Sequence, residues 1–261
     1  MNIFVFDIET IPDVEKGRRL YDLEGIDDEA VAEVMFKQAM EQTGQSFVRL
    51  PLHKIAAISV LFRHENHLKI WSLGDVDASE KEIVQRFFDG IEKFTPQLVS
   101  WNGTAFDLPV LQYRALINQV VAPRYWESGE KDSQFKWNNY TSRYHQRHLD
   151  LMDVLAGFQP RANASLHDIA TLLGFPGKFG MDGSQVWKEY CAGNLLGIRQ
   201  YCETDVINTY LVYLRFQLMR GGLTEKDLES EIALLKKTLK DADEPHFKDF
   251  LSAWATSSSR G

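Results

Sequence analysis

A run of β-forming residues, NIFVFDIET at positions 2–10, carries two carboxylates, Asp7 and Glu9, at its end. A strand that is buried on both faces reads as a continuous apolar run, so residues 3–6 predict a central strand of an α/β sheet. Because strand side chains alternate, Asp7 and Glu9 point to the same face. Ligands bind beyond the carboxyl ends of such strands, and the pair therefore lies where a site is expected.

The closeness of these two carboxylates has a physical cost. Like charges at the edge of a hydrophobic core repel each other and lose hydration, which raises their pKa values unless a cation is present. A bound divalent metal ion removes this cost. The alternative is a solvated strand exit, since Asp-x-Glu alone is a weak signal in a chain of which 25% is charged.

Strand and helix patterns alternate along the first half of the chain. Residues 54–62 and 67–73 predict a β-hairpin. Residues 79–94 predict an amphipathic helix that begins with an N-cap serine and a glutamate three positions on. A short buried strand at 98–101 is followed by a turn and by a helical pattern at 105–117. A strand, a hairpin and a strand–turn–helix unit together predict a mixed sheet.

Helical patterns also precede the hairpin and follow the sheet. The charged segment 13–46 has apolar residues at helical spacing and predicts an inserted helix. After a short helix at 164–173, residues 195–219 predict a long helix that is rich in apolar side chains. Two more helices are predicted at 225–239 and 245–254, before a Ser-rich end.

The acidic balance of the chain limits its partners. The 261 residues carry a formal net charge of −8, so a polyanionic substrate needs a local basic patch or metal ions. Cys191 and Cys202 lack metal-ligand spacing, and we expect reduced thiols. Because no signal-peptide pattern and no long apolar run occurs, we expect a soluble cytoplasmic protein without a membrane partner.

Two segments carry basic residues near aromatic or glycine residues. The segment FKWNNYTSRYHQRH at 135–148 suits single-stranded nucleic acid, and a loop held by aromatic packing is an equal alternative. Lys178 lies in the segment GFPGKFGMDGS, which lacks the spacing of a Walker loop. A plain surface turn is the favoured interpretation, and a lysine carried toward a substrate phosphate is the alternative.

Two further carboxylates occur in short motifs. In NGTAFD, Asp107 lies at the start of a helix, where negative charge is favoured. In YCETD, the spacing of four puts Tyr201 and Asp205 on one face of the long helix. Taken alone, Asp107 is most simply a helix-start residue. For Asp205, the alternative to a site residue is a buried carboxylate that bonds a core group.

Together, FDIET, NGTAFD and YCETD resemble the three ordered motifs of the DEDD superfamily of 3′-5′ exonucleases. The tyrosine four residues before the last aspartate resembles the tyrosine that marks one subgroup of this superfamily. That subgroup includes the proofreading exonucleases of DNA polymerases. The resemblance is closest to stand-alone proteins related to the exonuclease domain of family B polymerases. It implies an exonuclease domain at 1–222. The helical insertion at 13–46 is long for this family, and the C-terminal helical extension with a disordered tail at 223–261 has no counterpart in it.

The resemblance implies an α/β fold of the RNase H-like type, a mixed five-stranded sheet with one antiparallel strand, flanked by helices. It implies two divalent cations, Mg²⁺ or Mn²⁺, about 3.5–4 Å apart. By motif position, Asp7 would bridge both ions and Asp107 would hold the second. Glu9 and Asp205 would complete the first, and Tyr201 would orient the attacking water.

The implied activity is two-metal-ion hydrolysis of phosphodiester bonds from the 3′ end of single-stranded nucleic acid, with DNA favoured over RNA. Thr10, Asn102, Phe106 and Lys178 are candidate substrate contacts, each with a purely structural role as the alternative. An exoribonuclease, and a catalytically idle module that binds nucleic-acid ends or a protein partner, are competing interpretations. The sequence does not identify a replication or repair protein as a partner.

Overall fold

The computed structural model describes residues 2–178 and 180–258. A central sheet consists of β1 (Ile3–Pro12), β2 (His53–His64), β3 (His67–Ser72), β4 (Gln97–Ser100) and β5 (His148–Asp150). The order across the sheet is β3-β2-β1-β4-β5. Strand β2 is antiparallel to β1 and β3, whereas β4 is parallel to β1 and β5. The predicted α/β fold, with a mixed five-stranded sheet and one antiparallel strand, is confirmed.

Ten α-helices surround the sheet in the described part of the chain. They are α1 (Val14–Tyr21), α2 (Asp28–Thr43), α3 (Glu80–Phe94), α4 (Asp107–Asn118), α5 (Leu151–Leu155), α6 (Leu166–Leu172), α7 (Val186–Cys191), α8 (Leu195–Met219), α9 (Glu225–Ala242) and α10 (Pro245–Ser258). No helix among the described residues has the length and apolarity needed to cross a membrane.

Strand β1 is longer than the predicted run at 3–6. It pairs with β4 only over residues 3–5, but it pairs with β2 as far as Pro12, with a register shift between Glu9 and Thr10. The polar residues after position 6 stay in the sheet because β2 supplies backbone partners along this whole length. The first two carboxylates therefore lie within an antiparallel ladder, past the end of the parallel pairing, and not at a strand exit.

Alternate residues of β1 contribute to two hydrophobic cores. Phe4 and Phe6 belong to the core that α3 and α4 cover. Val5, between them, belongs to the core that α8, α9 and α10 cover. Because side chains alternate along a strand, Asp7 and Glu9 continue the row of Val5 and face α8.

The C-terminal helices α9 and α10 complete the core on the α8 side. Leu235 and Phe250 are fully buried and belong to the same cluster as Tyr210 of α8. The Tyr210 hydroxyl donates a hydrogen bond to Glu231 of α9 at 2.8 Å. The extension predicted from residue 223 is helical, and it shares the core of the sheet. The predicted disordered tail lies outside the described residues, beyond the end of α10.

The segment 13–46 contains two helices, α1 and α2, where one was predicted. Gly17 allows the close approach of α1 to α2, because a Cβ atom there would overlap the sulfur of Met35. Asp13 caps α1 by accepting a hydrogen bond from the backbone N–H of Lys16.

A buried ion network joins this insertion to the rest of the fold. Arg114 of α4 donates to Asp13 at 2.6 Å and pairs with Glu80 of α3 at 2.5 Å. Glu80 also accepts hydrogen bonds from the backbone N–H of Ile55 and from the side chain of Asn118. The Arg114 side chain is only 3% exposed, so the network fixes the insertion against β2, α3 and α4.

Candidate active site

Strand β1 presents two carboxylates to α8. Asp7 is half-buried, and Glu9 is 8% exposed. One oxygen of each and the thiol of Cys202 all lie within 4.8 Å of one another. The register shift that follows Glu9 is a β-bulge, which increases the local twist of a strand and is common next to active sites.

The turn after β4 delivers the third carboxylate. Asp150, at the end of β5, accepts hydrogen bonds from the backbone N–H groups of Asn102 at 2.9 Å and Thr104 at 2.8 Å. Asn102 itself adopts a left-handed φ of 67°. The turn ends at Asp107, the first residue of α4, which is 3% exposed. The backbone of this turn therefore holds Asp107 in the protein interior, where the charge of Asp7 acts on its carboxylate.

Helix α8 supplies Tyr201 and Asp205, one helical turn apart. These residues are 5% and 3% exposed. Within the described part of the chain, the Tyr201 hydroxyl and Oδ1 of Asp205 are buried without a hydrogen-bond partner. Buried polar atoms without a hydrogen-bond partner are rare, because they lose hydration without compensation. They mark a place where a cation or a water molecule fits.

Burial and the mutual repulsion of the carboxylates disfavour their ionised forms. Burial, and then the charge of Asp205, raises the pKa of Asp7 to about 7. Burial and the charge of Asp7 raise the pKa of Glu9 and that of Asp107 well above their ordinary values. Burial also raises the pKa of Asp205. Asp7 is thus the electrostatic centre of the cluster.

Cys202 is a residue of this site that the sequence reasoning missed. Its thiol lies 3.4 Å from the carbonyl oxygen and 3.6 Å from Oδ2 of Asp7. Burial raises the pKa of Cys202 well above its ordinary value, so the sulfur carries its proton. The signal that could have found it is the helical spacing of three that separates it from Asp205.

Lys178 lies at the cluster and not in a solvent-facing turn. Its Nζ atom is 3.4 Å from Oδ2 of Asp205. Burial alone would lower the pKa of Lys178, but the neighbouring charges of Asp205, Asp7 and Glu9 raise it above its ordinary value. The ammonium group is therefore present among the carboxylates.

A cavity of about 710 Å³ adjoins Glu9. Thr10 and Phe106, two of the candidate substrate contacts, line it, together with Ser46 at the end of the insertion, Phe47 just after it, and Trp187 of α7. Asn102 does not line this cavity, and its backbone shapes the turn before Asp107 instead. The insertion and α7 thus form the outer walls of a pocket that opens beside the carboxylates.

A relay of two hydrogen bonds fixes the hydroxyl of Thr10 in this pocket. Nε2 of His53 lies 3.0 Å from the carbonyl oxygen of Val48, and Nδ1 lies 2.8 Å from the Thr10 hydroxyl. A carbonyl oxygen only accepts, so Nε2 carries the proton and Nδ1 accepts from Thr10. Burial lowers the pKa of His53 to about 4, which keeps the ring neutral. The Thr10 oxygen is then left as an acceptor in the pocket.

The aromatic and basic segment at 135–148 is explained in part by packing. Phe135 and Tyr140 are buried, and the Arg147 guanidinium lies 3.8 Å from the centre of the Phe135 ring. The Tyr140 hydroxyl donates to the carbonyl oxygen of Pro96, just before β4 and away from the strand end that leads to Asp107. The loop is held by these contacts at the opposite end of β4 from the carboxylate cluster.

The donor set suits a hard divalent cation. Such ions take oxygen ligands, above all carboxylates. The cluster offers four of these side chains, Asp7, Glu9, Asp107 and Asp205. Burial is the largest cause of their raised pKa values, and the charge of Asp7 adds to it at Glu9 and Asp107. Oδ1 of Asp205 also lacks a partner among the described residues. The residues therefore fit a divalent cation centre.

A mixed five-stranded sheet of this order, flanked by helices, defines an α/β protein of the RNase H-like fold. Residues 45–254 match the model of a family described as predicted 3′-5′ exonucleases related to the exonuclease domain of PolB. The chain belongs to this family. The matched residues include Asp107, Tyr201 and Asp205, whereas Asp7 and Glu9 precede them. The match also takes in α9 and most of α10.

The structure is similar to that of the family B DNA polymerase from the hyperthermophilic archaeon Pyrobaculum calidifontis, with a TM-score of 0.48 and 16% sequence identity. The similarity covers 84% of this chain and 24% of the polymerase chain. This chain thus corresponds to about a quarter of that polymerase's length. No match was found among curated proteins.

Proposed function

We propose that the protein is a metal-dependent 3′-5′ exonuclease that removes nucleotides from the 3′ end of single-stranded DNA. The observation that carries this proposal is the close approach of Asp7 and Glu9, with one oxygen of each within 4.8 Å of the other, beside Asp205 and Asp107, whose charges act on this pair. These residues come from the central strand, from the turn after β4 and from α8. A stable fold has no need for four clustered carboxylates, whereas hydrolysis of a phosphodiester by two cations does.

The charges of the four carboxylates act on one another, which supports a shared role in holding cations. Asp7 is the charged neighbour with the largest effect on Glu9 and on Asp107. Asp205 has the largest effect of this kind on Asp7. By their positions in the motifs, Asp7 would be shared by the two cations, Glu9 and Asp205 would help hold the first, and Asp107 would hold the second.

The cations themselves account for part of the chemistry. When bound, two Mg²⁺ or Mn²⁺ ions supply Lewis-acid activation of water and neutralise charge on the phosphate. The chain supplies the orientation of the reactants. The buried Tyr201 hydroxyl makes no well-formed hydrogen bond within the described residues and lies beside the carboxylate of Asp205, where it would hydrogen-bond the attacking water. Burial, with nearby negative charge, raises the pKa of Tyr201, so the phenol keeps its proton throughout.

The neighbouring pocket supports a single-stranded end as substrate. Its wall contains the rings of Phe47 and Phe106, with their centres 5.4 Å apart. An unpaired base stacks on such rings regardless of its sequence. Thr10 offers an acceptor to a sugar hydroxyl. The pocket therefore receives the terminal nucleotide, while its phosphate lies at the carboxylates beside Glu9.

The test is hydrolysis of 5′-labelled and 3′-labelled single strands, DNA and RNA in parallel, with Mn²⁺, with Mg²⁺ and with EDTA. The proposal predicts a ladder that shortens from the 3′ end, that requires metal and that disappears in Asp7→Asn. Asp77→Asn, which alters an exposed carboxylate, is the matched control and keeps full activity. Metal-independent cleavage, or a rate in Asp7→Asn equal to that of the control, contradicts the proposal.

The ratio of the DNA and RNA rates decides the sugar preference. A faster reaction on DNA supports the proposal in full. A reaction confined to RNA replaces the DNA substrate with RNA and leaves the chemistry of the carboxylates unchanged, since that chemistry acts on phosphate.

A further inference from the structure

The ammonium group of Lys178 contacts the carboxylate cluster directly. Its Nζ atom lies 3.4 Å from Oδ2 of Asp205, and the exposed fractions of the two side chains are 37% and 5%. The same Nζ atom lies 5.3 Å from the centre of the Tyr201 ring. The charge of Lys178 also acts on Asp7 and Glu9. The lysine is thus placed to compensate the negative charge of three carboxylates.

The backbone that carries Lys178 is held by specific contacts. The side chain of Asn208, which is fully buried on α8, accepts from the N–H of Gly177 at 3.2 Å and donates to its carbonyl oxygen at 2.9 Å. The N–H of Lys178 donates to Nδ1 of His167 at 3.1 Å. Since Asn208 and Asp205 lie one turn apart on α8, the same helix holds the loop and the acceptor of its lysine.

The residue before Lys178 must be glycine for this arrangement. Gly177 has a φ of +65°, which favours glycine. A Cβ atom at this position would lie 2.7 Å from Nδ1 of His167 and 2.8 Å from the hydroxyl of Thr171. The backbone of the loop therefore fits closely against α6 and α8, and the position of Lys178 follows from this fit.

We infer that Lys178 is the internal counter-ion of the carboxylate cluster in the metal-free protein, and that a divalent cation displaces it from Asp205. This inference rests on the proposed metal dependence. An ammonium group and a divalent cation repel each other strongly when both lie next to one buried carboxylate. The lysine head group must therefore leave Asp205 when a cation binds there. The flexible four-carbon stem of lysine permits this movement while the backbone of the loop stays fixed.

Competition between Lys178 and the metal predicts a measurable change in affinity. The experiment is calorimetric titration of Mn²⁺ into the wild-type protein, Lys178→Met and Lys248→Met at constant ionic strength. Lys248 forms a surface pair with Asp243 at 2.8 Å and serves as the matched control. We expect Lys178→Met to bind Mn²⁺ about tenfold more tightly, and Lys248→Met to bind it like the wild type. Equal affinity of Lys178→Met and the wild type overturns the inference.

A second measurement tests the counter-ion role without any metal. Urea unfolding in EDTA is compared for the wild type, Lys178→Met, Asp205→Asn and the double variant. We expect Lys178→Met to be destabilising in the wild-type background and to have little or no effect in the Asp205→Asn background. Equal effects in the two backgrounds show that the pair makes no contribution, and they overturn the inference.

The two measurements separate failure of this inference from failure of the proposed function. If Mn²⁺ binds and drives hydrolysis but Lys178→Met leaves its affinity unchanged, the proposed exonuclease stands and the displacement is refuted. If no variant binds Mn²⁺, the metal-dependent function and the displacement are both refuted. The unfolding data in EDTA then still report whether Lys178 stabilises Asp205.

Discussion

The thiol of Cys202 on α8 lies 3.4 Å from the backbone carbonyl oxygen of Asp7 on β1 and 3.6 Å from its Oδ2 atom. This contact joins the helix to the strand at the level of the carboxylate cluster. Cys202 is fully buried, so the space between the two elements is filled. The separation of Asp7 from Asp205 therefore depends on the size of the side chain at position 202.

A larger side chain at position 202 tests this dependence. We expect Cys202→Leu to reduce the free energy of unfolding by about 1–3 kcal/mol, because overpacking forces α8 away from β1. We expect hydrolysis to slow by about 100-fold, since a displacement of about 1 Å in a catalytic site has an effect of this size. Urea unfolding and single-turnover rates measure the two effects. Cys191→Leu, at an exposed cysteine, should change neither, and full activity in Cys202→Leu would refute the argument.

Removal of the Tyr201 hydroxyl separates catalysis from stability. Because this buried hydroxyl has no partner among the described residues, Tyr201→Phe should leave the free energy of unfolding unchanged or slightly higher. The single-turnover rate should fall by about 10- to 100-fold, the effect of losing a hydrogen bond to a charged group. Calorimetry should show unchanged Mn²⁺ binding.

Tyr210→Phe is the matched control on the same helix. Its hydroxyl donates to Glu231 at 2.8 Å, so its loss should reduce the free energy of unfolding by about 1 kcal/mol without an effect on the rate. A Tyr201→Phe variant as fast as the wild type would remove the tyrosine from the mechanism.

The metal-free protein should lose stability as the pH rises. Burial and then Asp205 raise the pKa of Asp7 from 3.8 to about 7. A raised carboxylate pKa contributes stability that is complete below pH 3.8 and is lost as the pH rises through 7. In EDTA, we expect Asp7 to reduce the free energy of unfolding by up to about 4 kcal/mol between pH 4 and pH 8.

Comparison with Asp7→Asn isolates this contribution from those of other groups. The variant should lose less stability than the wild type over the same pH interval, and Asp77→Asn should behave like the wild type. Saturating Mn²⁺ should abolish the loss in the wild type. Parallel pH profiles for Asp7→Asn and the wild type in EDTA would contradict the electrostatic account of the cluster.

The ion network of Arg114 should contribute to the stability of the whole domain. Arg114→Met leaves Asp13 and Glu80 as buried charges without their cation, which typically reduces the free energy of unfolding by about 3–5 kcal/mol. Arg86→Met removes an exposed ion pair with Glu82. It should change the free energy of unfolding by less than about 1 kcal/mol. Chemical unfolding compares the two variants, and similar small losses in both would show that the network is dispensable.

Helices that are defined by their own caps and apolar stripes were predicted correctly from the sequence. The predicted helix at 195–219 coincides with α8, because Asn194 caps its start and glycines follow its end. The helix at 79–94 was recognised from its serine N-cap and its apolar stripe, and the structure contains both. The order of these elements was enough to predict the mixed sheet.

Elements that depend on distant partners were predicted less well. Helix α1 was missed because Gly17 lowers helical propensity, whereas its packing against Met35 becomes visible only in three dimensions. The length of β1 was underestimated because its polar second half depends on pairing with β2.

The candidate site also contains residues that contacts between distant segments bring into place. Its four carboxylates were chosen from motifs that a resemblance supplied, and the structure brings them together. Cys202, His53 and Lys178 take their places through contacts between segments far apart in the chain, which spacing within one segment does not reveal.

The positions of bound metal ions show whether these four carboxylates are the ligands. Crystals of the protein soaked in Mn²⁺, with data collected for anomalous scattering, locate each bound ion without reference to activity. Two peaks about 3.5–4 Å apart are expected, with Asp7 between them, Glu9 and Asp205 at one, and Asp107 at the other. Crystals that bind Mn²⁺ elsewhere, or that show no peak among these four carboxylates, would contradict this assignment of the ligands.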